Sequence, residues 1–278
     1  MIDSALPLLR CPHCGAALTR SDAVVRCAEG HAFDLARQGY LNLTGSASGA
    51  GDSAAMVAAR ERFLGAGHFE ALGALVAAEC DRAAPPEGCI VDLGAGTAWY
   101  LARALERRPD ATGLALDLSK PALRRAARAH ARIAAVACDA WGPLPLRDGA
   151  AAAVLSVFAP RNAPEIARIL RPGGVLAVVT PTARHLGELV AELRLLTVDE
   201  RKQARLREQL SPHFELTEGR ELEWTLRLDH GAVGDAVAMG PSAFHVSAAD
   251  LYERIGALPD PLAVTASVRL SLATRLDG

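Results

Sequence analysis

Short apolar segments alternate with amphipathic ones from residue 88 onward. The apolar segments predict β-strands at Cys89–Leu93, Ala111–Leu116, Ile133–Cys138, Ala151–Val157 and Val175–Thr180. The amphipathic segments predict helices at Thr97–Arg107, Lys120–Ala131 and Asn162–Leu170. Strands that are apolar on both faces and separated by helices are typical of a parallel sheet covered on both sides. Because Leu216–Leu228 and Ala263–Ala273 alternate apolar and polar residues, we expect a Rossmann-like α/β fold, mainly parallel, with late antiparallel strands.

The first part of the chain has a different pattern, in which cysteines and a histidine are closely spaced. They follow the pattern C-x2-C-x12-C-x3-H, with Cys11, Cys14, Cys27 and His31 as the four positions. Each pair lies in a glycine-containing turn, and two short strands are predicted between the pairs, at Ala17–Leu18 and Val24–Val25. Such paired turns are typical of a tetrahedral zinc site in a small zinc-ribbon-like module. His13 is a rival ligand inside the first turn. Since protein side chains fill all four places, we expect a structural Zn²⁺ site.

A segment rich in glycine and serine, residues 44–52, follows this module and predicts a linker or mobile loop. Two helices are predicted after it, at Ala54–Leu64 and from His68 to Cys80. These boundaries divide the chain into a zinc-binding module at 1–43, a linker and helical bridge at 44–87, and a catalytic domain at 88–278.

Composition adds few constraints to this picture. Half of the 278 residues are hydrophobic and the formal net charge is -2, so a nucleic acid would have to bind to a local basic patch. The chain shows no leader-like segment and no unbroken apolar run of about 18 to 20 residues, so we expect a cytoplasmic protein without a membrane partner. Closely spaced cysteines in a reducing compartment favour metal binding over disulfides.

The strongest chemical signal follows the first predicted strand of the sheet, in Asp92-Leu93-Gly94-Ala95-Gly96-Thr97. Ligands of open α/β sheets bind at the carboxyl ends of the strands, where glycines allow close approach to the backbone. Trp99 occupies the place where a dinucleotide-binding loop would have its third glycine. The carboxylate of Asp92 suits a cationic ligand better than a pyrophosphate. S-adenosylmethionine, which carries a sulfonium and an ammonium group, matches this site.

Two further acids follow the next two predicted strands. Asp117 lies about 20 residues after the glycines, the spacing at which an acid binds ribose hydroxyls. Asp139 follows the third strand and is placed to meet an adenine amino group. Together with Asp92 they form one rim of the sheet. The turn Leu170-Arg171-Pro172-Gly173-Gly174 is also typical of S-adenosylmethionine-dependent methyltransferases.

At this point the sequence resembles the bacterial 23S rRNA guanine-N1 methyltransferases, especially the actinobacterial branch that gives resistance to tylosin-type macrolides. The resemblance covers nearly the whole chain. It is carried by the cysteine and histidine pattern and by the segments Gly30–Asp34, Ala36–Leu43, Met56–Arg60, Gly67–Phe69, Asp117–Lys120, Phe158–Arg161, Leu170–Gly174, Arg184–Leu186 and Ala238–Ser242.

The resemblance implies zinc on the four N-terminal positions and cofactor contacts from four residues, Phe69, Gly96, Thr97 and His185. It also implies a guanine in a 23S rRNA hairpin as the substrate, and it leaves room for a homodimer. Two positions depart from the family pattern. Phe69 stands where many members have tyrosine, and Ala98 replaces a common glycine in the cofactor loop.

Methyl transfer requires the nucleophile in line with the sulfonium methyl group, so positioning carries most of the catalysis. The end of the fourth predicted strand faces the expected methyl position, and Phe158 there is either a stacking residue or plain core. Guanine N1 must also lose a proton, and Asp52 in the predicted loop is a candidate base.

Two other functions remain open from the sequence. A methyltransferase acting on a small molecule would have a lidded apolar pocket and no affinity for RNA. A zinc-ribbon binding protein with an inactive methyltransferase domain would not bind S-adenosylmethionine, and the departures at Phe69 and Ala98 are the features that favour it.

Overall fold

The N-terminal part forms a small antiparallel sheet. The computed structural model describes residues 1–44, 51–195, 202–217, 219–240 and 248–276. After a short helix, α1 (Ile2–Ala5), the small sheet is formed by β1 (Leu18–Ser21), β2 (Val24–Cys27) and β3 (Ala32–Asp34). The two predicted strands are present and longer than expected, because the turn between them needs only Asp22 and Ala23. We call residues 11–34 the ribbon.

The main sheet has nine strands within the described residues. The strands are β4 (Tyr40–Asn42), β5 (Cys89–Leu93), β6 (Thr112–Asp117), β7 (Ile133–Ala137), β8 (Ala151–Val157), β9 (Leu170–Pro181), β10 (Phe214–Leu216), β11 (Arg220–Leu228) and β12 (Leu262–Arg275). They lie in the order β10-β12-β9-β8-β5-β6-β7-β4, with β11 also paired to β12. The strands β4 to β9 pair in parallel, and β12 pairs antiparallel with β9, β10 and β11. The predicted Rossmann-like arrangement is confirmed.

The late predicted strand Leu216–Leu228 is divided in two. β10 pairs with the end of β12 at Phe214↔Arg275, and β11 pairs with its first part at Arg220↔Leu270. Both lie on the edge of β12 that faces away from β9. The alternation of apolar and polar residues therefore identified β11, whereas β10 overlaps the predicted strand only at Leu216 and was not predicted as a separate strand.

The helices of the described residues cover the sheet. They are α2 (Ala54–Gly65), α3 (Glu70–Ala83), α4 (Trp99–Arg107), α5 (Lys120–Ala129), α6 (Ala163–Ile169), α7 (Gly187–Leu193), α8 (Lys202–Leu210), α9 (His230–Ala238) and α10 (Ala248–Gly256). α4 begins two residues later than predicted, because Ala98 has a left-handed backbone conformation with φ of 59°. In the described ranges, we find no helix that is both long and apolar enough to cross a bilayer.

The strand β4 joins the N-terminal part to the main sheet. It pairs in parallel with β7, and Leu41 is fully buried in an apolar cluster that also contains Val25 and Phe33 of the ribbon and Val136 of β7. The division at residues 43 and 87 stays a prediction. Whatever the boundary, the ribbon and the sheet share one continuous apolar core on this side of the molecule. Most of the predicted linker, residues 45–50, lies outside the described residues.

Candidate active site and metal centre

The four predicted metal ligands come together in the ribbon. One ligand atom from each of Cys11, Cys14, Cys27 and His31 lies within 4.8 Å of the others. The Nδ1 atom of His31 is 3.6 Å from Sγ of Cys11 and 3.3 Å from Sγ of Cys27. A tetrahedral zinc ion with sulfur ligands at about 2.3 Å separates its ligand atoms by roughly 3.5 to 3.8 Å. The donor set and its spacing therefore fit Zn²⁺ in a closed structural site.

The residues around this cluster bear on which side chains act as ligands and on the pKa of the thiols. The ring of His13 stacks on Phe33 and lies 5.0 Å from the ring of His31, so it packs beside the cluster and outside the set of four. Burial raises the pKa of the Cys27 thiol, but hydrogen bonds with the side chain and backbone of His31 and with the side chains of Cys14 and Cys11 outweigh it and lower that pKa to about 7. For Cys14, a backbone hydrogen bond with Ala16 lowers the pKa, but burial and the side chains of Cys11 and Cys27 outweigh it and raise that pKa to about 11.

The glycine loop after β5 is fixed by hydrogen bonds to the end of β6. Gly96 donates its backbone N–H to Oδ2 of Asp117 at 2.8 Å, and Ala95 donates to the Leu116 carbonyl at 3.0 Å. Gly94 and Gly96 have φ of 63° and 55°, a region that costs other residues energy. A Cβ on Gly94 would also lie only 2.8 Å from Cβ of Ala159. The loop therefore presents bare backbone to the space above the strand ends.

Asp117 organises this loop with both of its carboxylate oxygens. Its Oδ1 accepts a hydrogen bond from Ser119 N at 2.7 Å, while Oδ2 holds Gly96. Burial raises the pKa of Asp117, and these two backbone hydrogen bonds oppose that shift. Each carboxylate oxygen can accept more than one hydrogen bond, so Asp117 has acceptor capacity left for the ribose hydroxyls, and that contact stays a prediction.

Asp92 is buried at the end of β5, and its Oδ2 atom has no hydrogen-bond partner. Burial, with a smaller contribution from the nearby charge of Asp117, raises the pKa of Asp92 well above its usual value. A buried carboxylate without partners is costly unless a ligand compensates it. The ammonium group of S-adenosylmethionine has the charge and hydrogen-bond donors that this oxygen lacks, so the residues present fit the cofactor.

The remaining predicted cofactor residues also lie at this end of the sheet. Asp139 is half-buried just beyond β7, and its Oδ1 accepts a hydrogen bond from Trp141 N at 2.9 Å. Thr97 is buried in the loop that leads into α4. The roles proposed for these side chains in binding adenine and the rest of the cofactor stay predictions.

An aromatic cluster borders the glycine loop on the other side. Phe69 is buried, and its ring centre lies 6.4 Å from that of Phe158, 6.0 Å from that of His185 and 5.5 Å from that of Trp224. The rings of Phe158 and His185 are 5.6 Å apart. Nδ1 of His185 accepts a hydrogen bond from Ser267 N at 3.2 Å, so in the neutral ring the proton is on Nε2. The predicted residues Phe69, Phe158 and His185 are thus direct neighbours.

The exposure of Phe158 distinguishes between its two predicted roles. Its side chain is 42% exposed, and its backbone is left-handed with φ of 54°. A left-handed backbone is strained for a bulky residue, and such strain is common beside functional sites. A core residue would also be buried, which Phe158 is not. Phe158 is therefore not a plain core residue, and its stacking role stays a prediction.

Asp52 has a partner that bears on its predicted role as a base. Its carboxylate forms an ion pair with Arg60, whose Nη2 also donates to the Met239 carbonyl at 2.9 Å. The carbonyl of Asp52 accepts from Oγ of Ser119 at 2.6 Å. Asp52 as proton acceptor stays a prediction, and the contacts show it holding Arg60 beside the glycine loop.

The comparisons with known proteins agree with this geometry. The family described as "RlmA, N-terminal" matches residues 9–44, and a methyltransferase domain family matches residues 90–174. A 23S rRNA (guanine(748)-N(1))-methyltransferase of Streptomyces fradiae is 54% identical, over 96% of this chain and 97% of that protein. A putative 23S rRNA (guanine-N(1)-)-methyltransferase of Micromonospora griseorubida is 50% identical, with the same coverage.

The chain belongs to the 23S rRNA (guanine-N1)-methyltransferase family. The predicted family, the S-adenosylmethionine-dependent methyltransferase domain and the zinc ribbon are thereby confirmed. Among solved structures, that of the MccD protein has a TM-score of 0.50 at 15% identity, and it covers 72% of this chain and 96% of its own. At this identity the likeness shows the fold alone.

Two residues at this site, Trp224 and Arg60, were not among the candidate site residues predicted from the sequence. Trp224 packs on Phe69 and donates from Nε1 to the His68 carbonyl at 3.0 Å, although it is 155 residues further along the chain than Phe69. Arg60 lies so close to the loop that a Cβ on Gly96 would be 3.3 Å from its Nη1. Arg60 stood in a segment that carried the family resemblance, whereas no local pattern pointed to Trp224.

The zinc site gives a first prediction. The purified protein is expected to hold a single zinc ion per chain, because four protein ligands close the site. Cys14→Ser should abolish the stoichiometric zinc measured by atomic emission after purification without chelators. Cys80→Ala is the control, since Cys80 is a buried thiol of the main core and should leave the zinc content unchanged. Zinc-free wild-type protein would contradict the assignment.

Asp92 gives a second prediction, in which affinity and stability change in opposite directions. The pKa of Asp92 is higher in the folded state than in the unfolded chain, so the folded state keeps this proton to a higher pH. The free energy of unfolding of the wild type therefore falls as the pH rises above the unfolded pKa of about 3.9. Asp92→Asn should therefore gain stability relative to the wild type, more at pH 8 than at pH 5, as measured by urea unfolding. It should also bind S-adenosylmethionine about 10- to 100-fold more weakly in calorimetry, because a hydrogen bond to a charged group is lost.

Asp110→Asn is the control for the removal of one negative charge, since Asp110 is exposed and precedes β6 at the opposite end of the sheet. Equal cofactor affinity of wild type and Asp92→Asn would show that the ammonium group binds elsewhere.

Proposed function

We propose that this protein transfers the methyl group of S-adenosylmethionine to N1 of a guanine in 23S rRNA. The observation that carries this proposal is the 54% identity, over nearly the full length of both chains, to the Streptomyces fradiae enzyme of that activity. The cytoplasmic location expected from the sequence is consistent with an rRNA substrate. A small-molecule substrate has no comparable support.

The strand order supports a proposed arrangement of the two substrates. Asp139 follows β7, Asp117 is the last residue of β6, and Asp92 lies one residue before the end of β5. These strands are neighbours in that order in the sheet. With adenine, ribose and the methionine part placed along these strands, the methyl group lies toward β8, the next neighbour of β5. The exposed ring of Phe158 follows β8 and is placed to stack on the target base. S-adenosylmethionine, when bound, supplies the electrophilic methyl group.

The target guanine would have to leave its stack to reach this crevice. We propose that it is the base equivalent to guanine 748, the position named for the Streptomyces fradiae relative, and that it lies in a hairpin. Bases in RNA loops are more easily unstacked than those in a duplex, and an aromatic ring stabilises the unstacked base. Phe158 and the neighbouring His185 provide such rings.

The ribbon, together with the arginines that flank it in the sequence, is proposed to dock the rRNA, because its zinc site is structural and carries no chemistry. Arg10 forms an ion pair with Asp148, and Arg20 with Asp3. Arg26 and Arg37 are exposed, and no described carboxylate forms an ion pair with either of them. These two side chains are therefore the ones available for phosphates.

The resemblance to the macrolide-resistance branch also leads to a proposal about antibiotic resistance in the host cell. Methylation at the proposed base is expected to lower the susceptibility of a host to tylosin-type macrolides, which a minimal inhibitory concentration with and without the gene would measure. A homodimer, for which the resemblance leaves room, stays a prediction, and light scattering of the purified protein would test it.

The proposed function predicts a specific product. Incubation with tritiated S-adenosylmethionine and 23S rRNA, followed by primer extension, should place the label as 1-methylguanine at a single guanine. Asp117→Ala is the control variant, since loss of the hydrogen bonds to Gly96 and Ser119 should disorganise the cofactor loop and remove the label. Absence of label from naked rRNA and from whole large subunits, with cofactor binding intact, would contradict an rRNA substrate.

The docking role predicts a salt-dependent defect. Arg26→Glu and Arg37→Glu should each weaken rRNA binding by about 3- to 10-fold and reduce the slope of log K against log salt by about one, because a phosphate contact is lost. Cofactor affinity should be unchanged. The matched control is Arg227→Glu, an exposed arginine on β11. Equal rRNA affinity of all three variants and the wild type would place the RNA-binding surface elsewhere.

A further inference from the structure

Three buried polar side-chain atoms of the described residues have no hydrogen-bond partner, namely Oδ2 of Asp92, Oγ of Ser156 and Nε of Arg161. Asp92 lies opposite Leu155 in the pairing of β5 with β8, Ser156 is the next residue of β8, and Arg161 lies in the loop, four residues after that strand ends. Because successive side chains of a strand point to opposite faces, Asp92 faces the same side of the sheet as Ile90 and Leu155, and Ser156 faces the other side with Val154. Ser156 is therefore set apart, and Asp92 and Arg161 are the unpaired groups near the carboxyl ends of these strands. Unpaired buried polar groups are rare, and a ligand can complete them.

Arg161 is the cationic member of this group. Its Nη1 donates to the carbonyl of Ala159 at 3.0 Å, a bond within its own loop. Burial lowers the pKa of the Arg161 guanidinium, and no described acidic side chain offsets this effect. Many other arginines of this protein form ion pairs with carboxylates, for example Arg62 with Asp235 and Arg168 with Glu165. A largely buried guanidinium without such a partner is expected to be completed by a ligand that brings an acceptor or a negative charge.

The position of Arg161 distinguishes the two ligands that meet at this crevice. The acids proposed for the cofactor lie at the carboxyl ends of β5, β6 and β7, whereas Arg161 follows β8, on the side where the nucleophile must approach the methyl group. It also lies three residues after Phe158, the exposed ring proposed to stack on the base. The loop that carries both residues packs against the cofactor loop, since Ala159 lies directly over Gly94.

We propose that the guanidinium of Arg161 donates a hydrogen bond to O6 of the target guanine and stabilises the negative charge that the ring acquires as N1 loses its proton. The inference rests on the proposed function. In the reaction, the N1–H bond breaks and its proton passes to water. The N1–methyl bond forms while the sulfur–methyl bond breaks, with its electron pair remaining on sulfur. A cation at O6 favours the deprotonated, nucleophilic form of guanine, so a strongly basic side chain is not required.

The test is the pH dependence of methyl transfer to 23S rRNA at saturating cofactor, for wild type, Arg161→Gln and Arg161→Lys. At pH 7 the Arg161→Gln rate should fall by about 10- to 100-fold, the scale of a lost hydrogen bond to a charged group. The deficit should narrow as the pH rises toward 9.5, because guanine N1 then loses its proton without help. Arg161→Lys should retain part of the rate, and the Kd of S-adenosylmethionine should be unchanged in both variants.

The matched control is Arg171→Gln. Arg171 is half-buried and donates a hydrogen bond to a single backbone carbonyl, that of Glu87, at the amino-terminal end of β9 and thus at the opposite end of the sheet. Its substitution should leave the pH profile unchanged. Among the described residues, the titratable or charged side chains around the crevice include Asp52, Arg60, Asp92, Asp117, Asp139 and His185. They are present in every variant, so the ratio of variant to wild-type rate isolates the contribution of Arg161.

If the ratio of the Arg161→Gln rate to the wild-type rate stays constant with pH, the proposed role of Arg161 is overturned. It is also overturned if the Kd of S-adenosylmethionine rises by the same factor as the rate falls, since Arg161 would then bind the cofactor. If Arg161→Gln is unfolded in a thermal scan, the comparison of wild type with Arg161→Lys decides. These outcomes differ from a failure of the proposed function, in which the wild type itself forms no 1-methylguanine in rRNA.

Discussion

The carboxylate of Asp117 holds together the part of the protein on which its chemistry depends. By accepting hydrogen bonds from Gly96 and Ser119, it joins the glycine loop after β5 to the start of α5. Ser119 in turn caps α5 and holds the carbonyl of Asp52, so the segment before α2 is tied to the same point. This one carboxylate thereby fixes the ends of β5 and β6, the beginning of α5 and the segment that leads into α2. Bare backbone can face the cofactor only because these contacts keep the loop open.

This region also contains the polar groups whose burial is not compensated within the protein. Asp92, Ser156 and Arg161 each have a buried atom without a partner, and they lie at the ends of two adjacent strands. Folding leaves this cost in place, since the surrounding strands are held by extensive apolar packing on both faces. In the proposed function, S-adenosylmethionine would compensate this cost at Asp92 and the target guanine would compensate it at Arg161. A group that lowers stability while it waits for a ligand is common at functional sites.

The ribbon is attached to the catalytic part through the sheet itself. β4 extends the parallel sheet beside β7, and apolar residues of the ribbon and of the sheet fill one cluster. A zinc-stabilised element that shares its core with the sheet has a defined orientation toward the carboxyl ends of the strands. In the proposed function, this attachment would present Arg26 and Arg37 to the rRNA from a fixed direction.

The sequence by itself determined the elements whose causes are local. Five apolar segments formed the parallel strands, since a strand buried on both faces needs apolar residues throughout, and the cysteine and histidine spacing identified the metal ligands because each pair lies within one turn. Tertiary structure decided the features that depend on distant contacts. Tyr40–Asn42 is too short to be recognised as a strand and becomes one only by pairing with β7. Trp224 reaches Phe69, and Arg60 reaches the glycine loop, because the chain returns to the same edge of the sheet. No local pattern shows whether a buried arginine such as Arg161 finds a carboxylate, because that depends on which side chains the whole fold brings near it.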